Sequence, residues 1–182
     1  MELKRVVVGP LQSNVYMVSS EGEGIIIDAG AETDKILSLT KGISIKYIFL
    51  THNHFDHTDA LEGLKKKLKV ECGIHALDRI GDLFDFEISE GDEFYFGKTS
   101  LKVIHTPGHT PGGCCFLTGN WLFSGDTIFQ GGYGRTDLGG SEIELFRSIK
   151  KIMGLSSDIQ VYPGHGPSAT IKEEREFFLG ML

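Results

Sequence analysis

The sequence has little cysteine: Cys72, Cys114 and Cys115 are odd in number and two are adjacent, which excludes a disulfide-stapled domain and leaves buried small hydrophobes as the expectation. It has no apolar run approaching the 18 or so residues that span a membrane. Its opening stretch, MELKRVVVGPLQS, holds only a short valine patch, unlike a signal sequence; a cytoplasmic setting without a membrane partner is therefore expected. Positive charge is scarce as well. With 18 Lys+Arg against 25 Asp+Glu, the formal net charge of -7 gives no broad field for a phosphate backbone, so nucleic acid is not expected as a partner. Repeats, low-complexity tracts and Pro/Ser-rich linkers are also missing, and the 182 residues read as one domain, 1–182, long enough to bury a core. What is in excess is glycine, 24 of 182 residues and roughly twice the usual share of about 7%, a surplus expected in tight loops.

Short β-rich runs predict strands at Arg5–Val8, Asn14–Ser19, Gly24–Asp28, Tyr47–Leu50, Glu93–Phe96, Leu101–His105, Gly113–Leu117, Trp121–Phe123 and Ile159–Tyr162. Helices are predicted around Glu32–Thr40, after Thr58 as N-cap, over Ser141–Gly154 with Ile143, Phe146, Ile149 and Ile152 on one stripe, and over Ile171–Leu179. Leu61, Leu64 and Leu68 give the second helix its buried stripe, so the cluster Lys65, Lys66, Lys67 and Lys69 reads as a solvated face. Interleaved strands and helices indicate an α/β (α+β) fold with helices on the outer faces of sheets.

The chemistry is concentrated in Tyr47–Asp59, YIFLTHNHFDHTD, where an apolar strand runs into three histidines and two aspartates. On an extended stretch His52 and His54 project to the same side, while Asp56 and His57 lie where the chain turns into the helix. Three further segments repeat a strand, a glycine turn and a polar residue: VIHTPGHTPGG presents His109, LFSGDTIF presents Asp126 and VYPGHGP presents His165. Five of the seven histidines, His52, His54, His57, His109 and His165, are the residues these motifs present, a segregation that points to a metal site built from imidazole and carboxylate. Two pairs in YIFLTHNHFDHTD could face two neighbouring ions. His75 and His105 remain outside the set and are expected to be structural. HExxH and CxxC motifs are absent.

THNHFDH followed by His109, Asp126 and His165 resembles the metallo-β-lactamase superfamily over nearly the whole chain. The resemblance implies a four-layer αββα sandwich with its metal site at the strand-end loops. It implies His52, His54 and His109 on one divalent ion, Asp56, His57 and His165 on a second, and Asp126 bridging them. It further implies that Asp56 orients a hydroxide bridging the two ions or handles its proton. Asp28, ending the strand GIIIDAG, matches an aspartate that accepts a hydrogen bond from a ligand histidine; an ordinary turn aspartate is the alternative. Zinc is the expected metal, with iron or manganese also compatible with these donors. Two divalent ions, two carboxylates and a hydroxide leave the centre at about +1, which favours an anionic small-molecule substrate.

Asp126 stands where many true β-lactamases have Cys or Ser, and His54 where flavodiiron oxidases have Glu. HTPGHTPGG, FSGDTIF and GGYGRTDL are instead similar to the glyoxalase II (hydroxyacylglutathione hydrolase-like) group, which hydrolyses the thioester S-D-lactoylglutathione. Long members of that group add a helical domain with basic groups for glutathione, whereas 17 residues follow His165 here, so the short, single-domain type is implied. Arg135 is a candidate anchor for a substrate carboxylate or else a salt-bridge partner of Asp137; Tyr133 is a candidate contact or else loop packing. The principal alternative is a mononuclear-iron glutathione-persulfide dioxygenase, which would use His52, His109 and Asp126 alone. A lactonase and a non-enzymatic metal-binding scaffold are the remaining alternatives.

Overall fold

The computed structural model describes residues 1–181. The first half of the chain forms β1 (Glu2–Val8), β2 (Ser13–Ser20), β3 (Glu23–Ile27), β4 (Ser44–Phe49), β5 (Glu71–His75) and β6 (Phe86–Ile88), paired in that order in one sheet. β1 to β3 are antiparallel, and β3 to β6 are parallel. The parallel crossovers are made by helix α1 (Thr33–Leu39), then by α2 (Phe55–Thr58) and α3 (Leu61–Leu68). The second half supplies β7 (Glu93–Phe96), β8 (Thr99–His105), β9 (Cys114–Thr118) and β10 (Trp121–Gly125). A hairpin of β11 (Ile128–Phe129) and β12 (Gly132–Tyr133) leads to helix α4 (Glu142–Met153), strands β13 (Gln160–Pro163) and β14 (Ala169–Thr170), and helix α5 (Ile171–Phe178). The second sheet runs β14-β13-β10-β9-β8-β7.

Three consecutive isoleucines explain the layering. Successive side chains of a strand point to opposite faces, so Ile25 and Ile27 enter the layer between the sheets and Ile26 enters the layer under α1 and α3. β9 divides likewise, with Cys114 and Phe116 inward and Cys115 outward against α4 and α5. Strands buried on both faces lack polar alternation, which is why they read as continuous apolar runs. Fully burying each such Ile or Phe contributes about 1.5–3 kcal/mol. Three apolar layers between two sheets and two sets of helices make the αββα sandwich that the resemblance implied.

Several local expectations are corrected. Thr58 is not the cap of the leucine-striped helix: it ends α2 and its hydroxyl donates back to the His54 carbonyl (3.2 Å), while α3 starts after Ala60 with no side-chain cap. Ile143 is 68% exposed, because the buried stripe of α4 is set by Leu145, Ile149 and Ile152, and Ile143 lies some 200° around the helix from Leu145. Ser141 and Gly154 do bound that helix as caps. β5 and β6 escaped notice because ECGIH has neither alternation nor a β-branched run; Gly73 is required there, since a Cβ would lie 2.5 Å from the Phe86 ring. Of the lysine cluster, Lys65 departs from a purely solvated role by pairing with Asp85 (2.7 Å).

All three cysteines are buried and free. Burial raises the Cys72 and Cys114 thiols well above their ordinary range and pushes Cys115 up to about 11. A disulfide reagent at neutral pH should therefore label none of them in the folded protein and all of them in denaturant; rapid labelling of the native protein would contradict this burial.

Candidate metal centre

The site forms where strands of both sheets end. Beyond β3, Asp28 adopts a left-handed conformation (φ 64°) and turns its carboxylate inward. Beyond β4, the Thr51 backbone N–H (2.8 Å) and hydroxyl (3.0 Å) both donate to that carboxylate. The Thr51 oxygen then accepts from His52 Nδ1 (3.0 Å), and the other Asp28 oxygen accepts from His57 Nδ1 (2.9 Å). His109 Nδ1 donates to the Arg135 carbonyl (2.7 Å) and His165 Nδ1 to the Leu11 carbonyl (3.1 Å). Each of these four imidazoles thus has its Nδ1 proton assigned to an oxygen, which turns the Nε2 lone pair towards the common centre.

The centre is crowded. His109 Nε2 lies 3.3 Å from His52 Nε2 and 2.9 Å from His54 Nδ1, and His57 Nε2 lies 3.4 Å from His165 Nε2. Asp56 Oδ2 is 3.4 Å from His57 Nε2 and 3.2 Å from His165 Nε2, and also accepts from the Ser13 hydroxyl (2.8 Å). Asp126 lies between the groups, with Oδ1 3.5 Å from His57 Nε2 and Oδ2 3.5 Å from His109 Nε2. Three sets of donor atoms each fall within 4.8 Å of one another: His52, His54 and His109; His52, His57 and Asp126; and Asp56, His57 and His165. Asp126 Oδ1 is the one buried side-chain polar atom without a hydrogen-bond partner among the described residues. Lone pairs turned on one another around an unpartnered carboxylate oxygen are what cations would satisfy, and all-imidazole and carboxylate donors suit divalent zinc, iron or manganese.

Glycines make this approach feasible. A Cβ on Gly164 would strike Asp126 Oδ1 and His57, and Gly125, at φ 49°, leaves no room for one beside Thr51. Missed by sequence reasoning were Thr51, Ser13 and the buried Asp78. The Asp78 carboxylate accepts from Asn53 N–H (3.2 Å), the Thr110 hydroxyl (2.7 Å) and Gly112 N–H (2.7 Å), tying the His52–His54 loop to the His109 loop. His75 and His105 lie outside the cluster, stacked on each other at 4.1 Å.

Without a cation these groups titrate against one another. Burial, then the charges of His57 and His109, drive His52 well below the ordinary imidazole range; burial and His109 also lower His54. Burial opposes protonation of His57, but Asp28, Asp126 and Asp56 prevail and raise it to about 9. The hydrogen bond to Asp56 raises His165. Burial favours a neutral Asp56, yet the His165 hydrogen bond, the His57 charge and Ser13 hold its carboxyl well below the usual range.

The cluster floors a cleft of about 380 Å³ walled by Leu11, Phe55, Phe129 and Leu138. Arg135 also lines it, but its Nε and Nη2 donate to both oxygens of Asp137 (2.6 and 2.5 Å), the salt-bridge alternative. Tyr133 does not line the cleft. Its ring packs on Phe146 (5.3 Å) and Phe178 (6.2 Å), the placement that the loop-packing alternative expects.

The family model for the metallo-beta-lactamase superfamily matches residues 8–165, a span that holds all seven clustered residues. The chain belongs to the metallo-β-lactamase superfamily. A Bacillus subtilis protein named probable metallo-hydrolase YqgX is 35% identical, over 97% of this chain and 95% of that protein. A hydroxyacylglutathione hydrolase of Blochmanniella pennsylvanica is 34% identical over 86% of this chain, which spans 63% of that enzyme's length. The crystal structure of TTHA1623 in a di-iron-bound form superposes with a TM-score of 0.85 at 34% identity, covering 96% of this chain and 98% of that one. Metal-binding chemistry is thereby a property of the family. Among the described residues, no helix is long and apolar enough to cross a membrane.

Two predictions follow from the orienting bonds. In Asp28→Asn the side-chain amide can offer only one acceptor atom where Thr51 and His57 present three donors, so either His57 loses its Nδ1 acceptor or Thr51 meets an N–H. Metal affinity should fall about 10–100-fold while far-ultraviolet dichroism stays native; unchanged affinity in a chelator competition would contradict the role of Asp28. The second concerns pH. Below about 9, metal-free His57 carries an Nε2 proton that an incoming cation must displace. Affinity should therefore rise with pH, by about tenfold per unit for each proton released, and level off once His57 is neutral. Calorimetry in buffers of different ionisation enthalpy reads the released proton, and a pH-independent affinity would exclude it.

Proposed function

We propose that the chain is a metal-dependent hydrolase of carboxylic thioesters, working with two divalent ions held by His52, His54 and His109 on one side and Asp56, His57 and His165 on the other, with Asp126 between them. The observation that carries this is the Asp126 carboxylate, flanked by imidazoles of both groups and with a buried, unpartnered oxygen at the floor of an open cleft. Two divalent cations held there would supply an ionised water near neutral pH and positive charge for the oxygen of a carbonyl whose carbon becomes tetrahedral.

The protein's own groups do the rest. Asp28, Thr51 and the Leu11 and Arg135 carbonyls keep Nδ1 protons in place, so the Nε2 atoms stay free to ligate. Asp56 shares Oδ2 among Ser13, His57 and His165 and stays ionised, ready to accept a proton from the attacking water and pass it to the departing thiolate. The similarity to a hydroxyacylglutathione hydrolase supports a thioester as substrate. Zinc remains the metal favoured by the donors, and the di-iron relative supports iron as the other occupant.

The test is elemental analysis of protein purified without added metal, run beside hydrolysis of S-D-lactoylglutathione and of a simple thioester. Two ions per chain and metal-dependent turnover are expected. One iron per chain with oxygen consumption on a persulfide would replace this reading by a dioxygenase, and turnover of lactones alone would replace it by a lactonase. Asp126→Ala should lower both metal content and turnover by at least about 100-fold, beyond the 10–100-fold that outer partners command. Full activity in that variant would sink the assignment.

A further inference from the structure

The cleft walls carry information that the metal cluster does not. Leu11, Phe55 and Leu138 stand 52%, 66% and 57% exposed around the site, with Phe129 beside them. Large apolar groups that the core does not use, gathered at the mouth of a polar centre, mark a surface that a ligand covers. Arg135 is the one Lys or Arg lining the cleft, and its charge is paired with the Asp137 carboxylate, which takes two of its five N–H donors, those on Nε and Nη2. Glutathione thioesters carry two carboxylates and an ammonium, and a site for them needs free cationic donors. At about 380 Å³ the cleft also lies near the lower end of the range for small-molecule sites.

Resting on the hydrolase reading above, we infer that the preferred substrate is a small thioester whose thiol portion is uncharged and apolar, with Leu11, Phe55, Phe129 and Leu138 as the specificity-determining walls. The one side-chain cation at the cleft, Arg135, is paired with Asp137, and the apolar walls select against charged thiols. In the reaction, water adds to the acyl carbon, the carbon–sulfur bond breaks, the departing sulfur takes one proton of the water, and the products are a carboxylate, a thiol and one proton released to solvent.

The test compares metal-loaded protein on two D-lactoyl thioesters with the same acyl group, one of glutathione and one of benzyl mercaptan, an apolar thiol. The corresponding non-hydrolysable thioethers are titrated in parallel by calorimetry. The inference predicts kcat/KM at least tenfold higher for the benzyl thioester and a matching preference in Kd between the thioethers. Leu138→Arg should reverse the preference, lowering kcat/KM on the benzyl compound and raising it several-fold on the glutathione compound. Asp137→Asn, which frees the Arg135 fork, should raise kcat/KM on the glutathione compound several-fold. Equal or better turnover of the glutathione thioester by the unmodified protein would overturn the inference and leave the hydrolase reading standing. If neither thioester is hydrolysed, the hydrolase reading falls; tighter binding of the glutathione thioether would then overturn the wall assignment as well.

Discussion

The Asp28 carboxylate is the contact on which the centre depends. It gathers the Thr51 N–H and hydroxyl at the end of β4 and the His57 ring after it, and through the Thr51 oxygen it also sets His52. One buried anion thus orients an imidazole in each half of the cluster. Its backbone is held in turn, with Asp28 N–H bonded to the Phe49 carbonyl (2.9 Å) and Ala29 N–H to the His57 carbonyl (2.8 Å). The left-handed conformation at Asp28 costs an ordinary L-residue about 1–2 kcal/mol, and aspartate is among the few side chains that tolerate it. Position 28 therefore has to serve two demands at once: a backbone that turns inward, and an acceptor short enough to remain in the turn.

The cluster itself opposes folding. Five imidazoles and two carboxylates are pressed into one centre, where burial and neighbouring imidazoles drive His52 down while the surrounding aspartates, outweighing burial, drive His57 up. A buried carboxylate oxygen without a partner costs on the order of 1–3 kcal/mol or more. Such a cost is tolerable only on a stiff frame, and the loops issue from strands whose side chains are buried on both faces. Asp78 adds a second brace by tying the loop of His52 and His54 to that of His109. The strain sits where a cation would relieve it, so stability and metal loading are coupled through the same atoms.

What could be read in the sequence follows from which groups carry a residue identity. The five clustered histidines, Asp56 and Asp126 are uncommon residue types at strand ends, and their segregation is visible without coordinates. Sheets with helices on their outer faces were legible in the interleaved strand and helix patterns, whereas the four-layer sandwich came only from the family resemblance; runs such as GIII and YIFL, without polar alternation, agree with strands covered on both faces. The orienting shell was much less legible. Two of its acceptors are the carbonyls of Leu11 and Arg135, which any residue would offer, and Thr51, Ser13 and Asp78 are common residues whose roles arise only from positions far away in the chain. β5 and β6 are imposed by parallel pairing and by Gly73 beneath Phe86, and their own pattern does not announce them. Tyr133, offered by the sequence either as a substrate contact or as loop packing, has its ring against Phe146 and Phe178.

Reactivity and selectivity are carried by separable parts of this molecule. The donor atoms are held by hydrogen bonds shared among neighbouring loops, of which His165 to Leu11 and Asp78 to Thr110 and Gly112 cross between the two halves of the fold, so changing one disturbs its neighbours. The side chains of Leu11, Phe55 and Leu138 stand at the opposite extreme, exposed and outside the three core layers, although the Leu11 backbone carbonyl serves His165. Replacing them alters what the cleft admits without reopening the packing of the sandwich. A fold arranged in this way can keep one hydrolytic centre while its choice of substrate drifts, because the walls answer to the ligand and the floor answers to the metals.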